Sequence, residues 1–145
     1  MGEAKRRLVV AWASKAEEDL AVARLLILDE RRLLAAGVYH CQQAAEKMLK
    51  AWLTLHDVVF PRTHDLEVLL DLADTKPPGF VRYRTHAQRL TPLASEYRYP
   101  GDVDSPAPDQ ARQILELAEE LSQESPRLCT SRFKAVKNES PIRVK

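Results

Sequence analysis

Between about Leu8 and Leu34, the apolar residues Val9, Trp12, Ala16, Leu20, Ala23, Leu26 and Ile27 recur at intervals of three and four. That spacing predicts one long amphipathic helix. Ala36-Gly37 punctuates it, and a second helix is expected from about Val38 to Asp57, with Cys41, Ala45, Met48, Trp52 and Leu55 on its apolar side. So short a connection makes the two an antiparallel hairpin. Pro61 breaks the pattern, after which Thr63 is the expected N-cap of a short third helix, His64 to about Ala73, with Asp65 favoured in its first turn by the helix dipole. Thr75 to Gly79 reads as a loop. Phe80 to Tyr97 is expected to be helical but interrupted or offset near Pro92, and Arg98-Tyr99-Pro100-Gly101 ends it. Ser105-Pro106-Ala107-Pro108 then leads into a last helix to about Gln123, with Ala111, Ile114, Leu115, Ala118 and Leu121 facing inward. No strand pattern or internal repeat interrupts this, so the expectation is an all-α, up-and-down bundle of four long helices and one short one.

Composition strengthens the helical reading without changing it. The 145 residues are 45% hydrophobic and 30% charged with only four glycines, a balance rich in helix formers and long enough for one self-sufficient core. Charge adds one division. The net +1 hides a tail, Ser125 to Lys145, that carries +5 against −4 for the rest. We therefore expect a bundle over 1–124 and a basic, flexible extension over 125–145, which either touches nucleic acid or keeps the terminus solvated. Two cysteines, Cys41 and Cys129, suggest no disulfide framework, and the apolar runs are too short for a membrane span, so a cytoplasmic setting is expected.

The polar residues of the second helix raise the functional question. At about 100° per residue, His40, Gln43, Lys47 and Lys50 stack opposite the apolar side, with Gln42 and Glu46 at one flank. Glu46 and Lys50 form an i,i+4 pair in its favourable order, so a merely solvated face explains the stripe as well as a binding surface does. Further along, Arg62-Thr63-His64-Asp65 stands at a helix start, where exposed amides could hold a phosphate. Tyr97-Arg98-Tyr99-Pro100 offers rings and a guanidinium able to stack on a base, or else a helix stop whose tyrosines seal the bundle end. His56 and His86 read as ordinary surface or core histidines. The distant cysteines give no metal-ligand spacing, so neither metal nor cofactor is expected. Asp102 and Asp104 lie in a Pro-rich loop rather than after a Gly-Ser helix start, so they do not make this chain a nucleotidyltransferase.

Three separated strings, His40-Cys41-Gln42-Gln43-Ala44-Ala45-Glu46-Lys47-Met48-Leu49-Lys50-Ala51, Arg62-Thr63-His64-Asp65-Leu66 with Leu69-Leu70, and Arg98-Tyr99-Pro100, resemble the HEPN domain family from about Trp12 to Leu121. The resemblance implies a helical bundle, usually a homodimer. It also implies an association with nucleotides or RNA, and a minimal nucleotidyltransferase partner in a pair of toxin-antitoxin type. Many members are metal-independent ribonucleases whose signature is an arginine separated from a histidine by four to six residues. No histidine here has that arginine: Arg32 precedes His40 with seven residues between, and Arg82 precedes His86 with three. The resulting expectation is a non-catalytic module that binds a nucleotide or phosphate through His40, Gln43, Lys47, Lys50, Arg62, His64, Arg98 and Tyr99. A ribonuclease with a dispersed His and Arg site, and a purely structural interaction bundle, stand as the alternatives.

Overall fold

The computed structural model describes residues 1–76, 79–100 and 105–137, with side chains described through residue 123. Five α-helices follow one another: α1 Glu3–Leu28, α2 Leu34–Leu55, α3 Leu66–Ala73, α4 Arg84–Leu90 and α5 Pro108–Lys137. Two 3-10 turns, Val81–Tyr83 and Thr91–Ala94, flank α4. There is no strand among the described residues, so the all-α expectation holds. The fourth helix is shorter than its sequence suggests, because Pro92 enters a 3-10 turn and cuts the α-helix after Leu90.

α1 and α2 are antiparallel, as the links Lys5 to Asp57 near one end and Asp19 to His40 nearer the other require. α4 runs antiparallel to α5, with His86 against Glu120 and Arg89 against Gln113, and Arg24 of α1 reaches Glu119 of α5 at 2.8 Å. The core between them is closed by Trp52, Phe80, Leu49, Leu53, Leu66, Leu69, Leu70, Leu90 and Leu121. Trp52 stacks on His56 at 4.0 Å and meets the ring of Phe80 edge-on at 5.1 Å. No described helix is long and apolar enough to cross a membrane.

Where the elements depart from expectation, a local competitor is visible. α1 stops at Leu28 rather than near Leu34, because the Asp29 carboxylate accepts from the amide of Arg31 at 2.9 Å and Arg32 turns left-handed at φ 49°. α2 therefore begins at Leu34, and Gly37 lies inside it instead of between helices. There the missing side chain matters: a Cβ on Gly37 would sit 2.4 Å from Cγ1 of buried Ile27. At α3 the cap is Asp65, whose side chain accepts from the amide of Glu67 at 2.9 Å, and Thr63 acts one step earlier by accepting from the amide of Asp65 at 3.0 Å. α5 continues to Lys137, past the expected stop near Gln123, with helix-favouring Glu, Leu and Arg before Pro126 and Leu, Arg and Lys after it. The Asp102 and Asp104 pair, and residues 138–145 of the basic extension, lie outside the described residues.

These particulars generate three expectations. Gly37→Ala gains about 1 kcal/mol of helix propensity but overpacks the α1/α2 contact by about 1–3 kcal/mol, so chemical denaturation should show net loss; a gain would mean that Ile27 yields freely. Asp65→Ala should lower stability by about 1 kcal/mol and Thr63→Ala by less, and the reverse order would return the cap to Thr63. Burial, aided by the charge of Glu119, pushes the Cys41 thiol up to about 12. In a Cys129→Ser background, a thiol reagent at pH 8 should label Cys41 only as fast as the protein opens.

Candidate functional site

The polar residues of α2 fall into three rows. Tyr39, Gln43, Glu46 and Lys50 follow one line along the helix, His40 and Lys47 lie on the side facing α1, and Gln42 faces the loop that precedes α3. This is no solvated face: Gln42, Glu46 and Lys50 are all buried. Each row answers to a different partner.

On the α1 side that partner is Asp19, only 8% exposed and flanked by buried Ala16, Leu20 and Ala23. Its Oδ1 contacts His40 Nδ1 at 2.8 Å and its Oδ2 accepts from the Lys47 ammonium. One carboxylate so placed matches two donors, and the charge of Lys47 is balanced before any ligand arrives.

Glu46 organises the other side. Its Oε1 accepts from Lys50 Nζ at 2.7 Å, while its Oε2 faces Gln42 Nε2 at 3.0 Å, His64 Nδ1 at 2.9 Å and, more distantly, Gln43 Nε2 at 3.4 Å. Burial pushes this carboxyl up, but the hydrogen bonds from Lys50, Gln42 and His64 and the Lys50 charge outweigh it, holding Glu46 below the usual carboxylate range. It is ionised, and every neighbour donates to it. Lys50 also lies over the half-buried ring of Trp12, 5.4 Å from its centre. Gln42 then ties α2 to the loop, donating to the backbone carbonyl of His64 at 3.1 Å and accepting from Gln43 at 2.7 Å. The imidazole of His64 is held by one nitrogen, yet its side chain is 71% exposed.

The start of α3 is less open than its sequence suggests. The amide of Leu66 is taken by Thr91 Oγ1 at 3.0 Å and that of Glu67 by Asp65, so two donors that an anion would need are already bonded. Arg62, two residues before His64, is exposed and forms no ion pair among the described residues. At the other end of the stripe, the guanidinium of Arg98 lies 4.5 Å from the centre of the Tyr39 ring and donates to the carbonyl of Ala94 at 3.3 Å. Tyr39 in turn meets His40 edge-on at 5.4 Å. Tyr97, left-handed at φ 64°, is the bend that releases Arg98 toward α2 while its own ring packs against the core. Tyr99 is 63% exposed and stands apart from these contacts.

The structure therefore gathers Gln43, Lys50 and His64 around Glu46, sets His40 and Lys47 on Asp19, and brings Arg98 to Tyr39 beside His40. It does not join them into one cationic recess, because two buried acids offset the two lysines. Asp19, Tyr39 and the burial of Gln42 and Glu46 escaped the sequence reading. Asp19 alone had a signal there, an acid in the middle of the Ala16, Leu20, Ala23 face.

The sequence model of the HEPN domain matches residues 9–128 of this chain. The fold is similar to the crystal structure of ST0689, an archaeal HEPN homologue, with a TM-score of 0.64, 23% identity, and coverage of 83% of this chain and 96% of that one. At that identity the likeness speaks for the fold alone. No curated protein matches the chain. A domain match that spans most of the sequence, on a bundle of this form, places the chain in the HEPN family.

Proposed function

We propose that this chain is a non-catalytic HEPN module that binds a nucleotide or an RNA phosphate and works in the cytoplasm with a minimal nucleotidyltransferase, as one half of a toxin-antitoxin type pair. One observation carries the ligand half of this reading: the lysines are matched internally by buried acids, whereas Arg98 lies open on Tyr39 and the imidazole of His64 stands exposed on Glu46. A guanidinium held by an aromatic ring, with one donor on the Ala94 carbonyl, keeps its remaining donors and its outer face for phosphate and base. Arg62 adds a second exposed cation on the His64 loop. The homodimer and the nucleotidyltransferase partner are supported by family membership, and co-purification with a co-encoded chain carrying Gly-Ser and Asp-x-Asp tests the pairing.

A second reading has its own observation. His40 and Arg98 both approach the ring of Tyr39, and His40 is oriented by Asp19, so an imidazole and a guanidinium share one aromatic neighbour without any local Arg-to-His spacing. That is the dispersed arrangement a ribonuclease would need.

Two measurements separate the readings. Losing a charge-assisted hydrogen bond of about 1.5–3 kcal/mol should weaken binding of AMP or a short RNA to Arg98→Ala by about ten- to a hundredfold, with little change in thermal midpoint; unchanged affinity removes Arg98 from the site. Incubation with mixed RNA should yield no product that disappears in both Arg98→Ala and His40→Ala, and such a product would install the ribonuclease instead. Absence of any nucleotide, RNA or partner binding would leave a purely structural bundle.

A further inference from the structure

The His64 contact says more than that an imidazole is nearby. Glu46 Oε2 faces Nδ1 of His64 at 2.9 Å, and Glu46 is buried, ionised and surrounded only by donors. A carboxylate of that kind cannot donate, so Nδ1 carries the proton. In the neutral ring the other nitrogen, Nε2, is then a bare acceptor on a side chain that is 71% exposed. Lys50 occupies the other oxygen of Glu46 at 2.7 Å, so Oε2 is left to Gln42, Gln43 and the His64 ring. The backbone under the ring is fixed as well: Gln42 holds the carbonyl of His64 at 3.1 Å, and Thr63 and Asp65 cap the turns on either side. A ring pinned in tautomer and position with its lone pair outward suits a hydroxyl donor and disfavours a phosphate oxygen, which also only accepts.

Resting on the nucleotide reading above, we propose that His64 is a sugar-reading residue: its Nε2 accepts a hydrogen bond from a ribose hydroxyl, making the site selective for ribonucleotides over deoxyribonucleotides. Phosphate recognition then falls to exposed Arg62, two residues before His64 on the same loop, while Arg98 at the other end of the stripe meets a more distant part of the ligand, and Glu46 and Gln42 are positioning residues that act through His64. The chemistry is binding only; no bond is made or broken.

The test uses AMP, its 2′-deoxy and 3′-deoxy analogues, and proton-nitrogen NMR of the His64 ring in the full chain. One of the two deoxy analogues should bind about five- to tenfold more weakly than AMP, the size expected for one exposed hydrogen bond. His64→Ala, which leaves Glu46 still bonded to Lys50 and Gln42, should bring that ratio to about one while retaining most phosphate-dependent affinity, with circular dichroism confirming that the variant is folded. NMR at pH 7.5 should find Nδ1 protonated and Nε2 bare in the wild type. In Glu46→Gln/Lys50→Met, which removes both buried charges together, that preference should be lost along with the sugar discrimination. Equal affinity for all three nucleotides overturns the sugar assignment and leaves the nucleotide site standing. Failure of every nucleotide to bind overturns the site and the assignment together. Protonation of both ring nitrogens at pH 7.5 makes Nε2 a donor and overturns the assignment whatever the affinities.

Discussion

A carboxylate withdrawn from water must be met by donors, and in this bundle Glu46 imposes that demand on three side chains from two segments. Lys50 answers from the next turn of α2, Gln42 from the preceding turn, and His64 from the loop leading to α3. Without the loop, Glu46 would lose a donor and its cover; without Glu46, the exposed ring of His64 would have nothing to hold it. Stability is not the main gain from such a pair, since well-packed apolar residues often serve as well. What the arrangement supplies is a fixed relation between the loop before α3 and the middle of α2.

Asp19 repeats the device on the opposite flank, joining α1 to His40 and Lys47. The two acids turn a helix that looks cationic in sequence into a surface whose charge is largely cancelled. The exposed positive character therefore moves to the ends of the stripe, to Arg98 on Tyr39 and to Arg62 beside His64. This redistribution changes which side chains a phosphate would meet, and it separates groups that orient from groups that contact.

Much of the fold was legible because apolar spacing reports the buried face of each helix directly: Cys41, Ala45, Met48, Trp52 and Leu55 are all in the core. Boundaries were less legible. Asp29 ended α1 through a turn that periodicity does not register, and Gly37, which reads as punctuation, is a close-approach residue against Ile27. The site was only half visible. The i,i+4 pairing of Glu46 with Lys50 follows from local geometry, but its burial depends on Trp12, 38 positions before Lys50, and on a loop beyond the helix end. Likewise, nothing near Arg98 in the chain announces Tyr39 as the ring beneath it. Contacts made across the bundle leave no period in the sequence.

The shared carboxylate of Asp19 has an evolutionary consequence. Because each of its oxygens has its own donor, a lineage can exchange His40 or Lys47 one at a time and still keep the acid partly matched. The acid has no such freedom: replacing it first strands a lysine and an imidazole on the same seam. Drift along this helix pair should therefore run in a preferred order, with the donors changing before the acceptor.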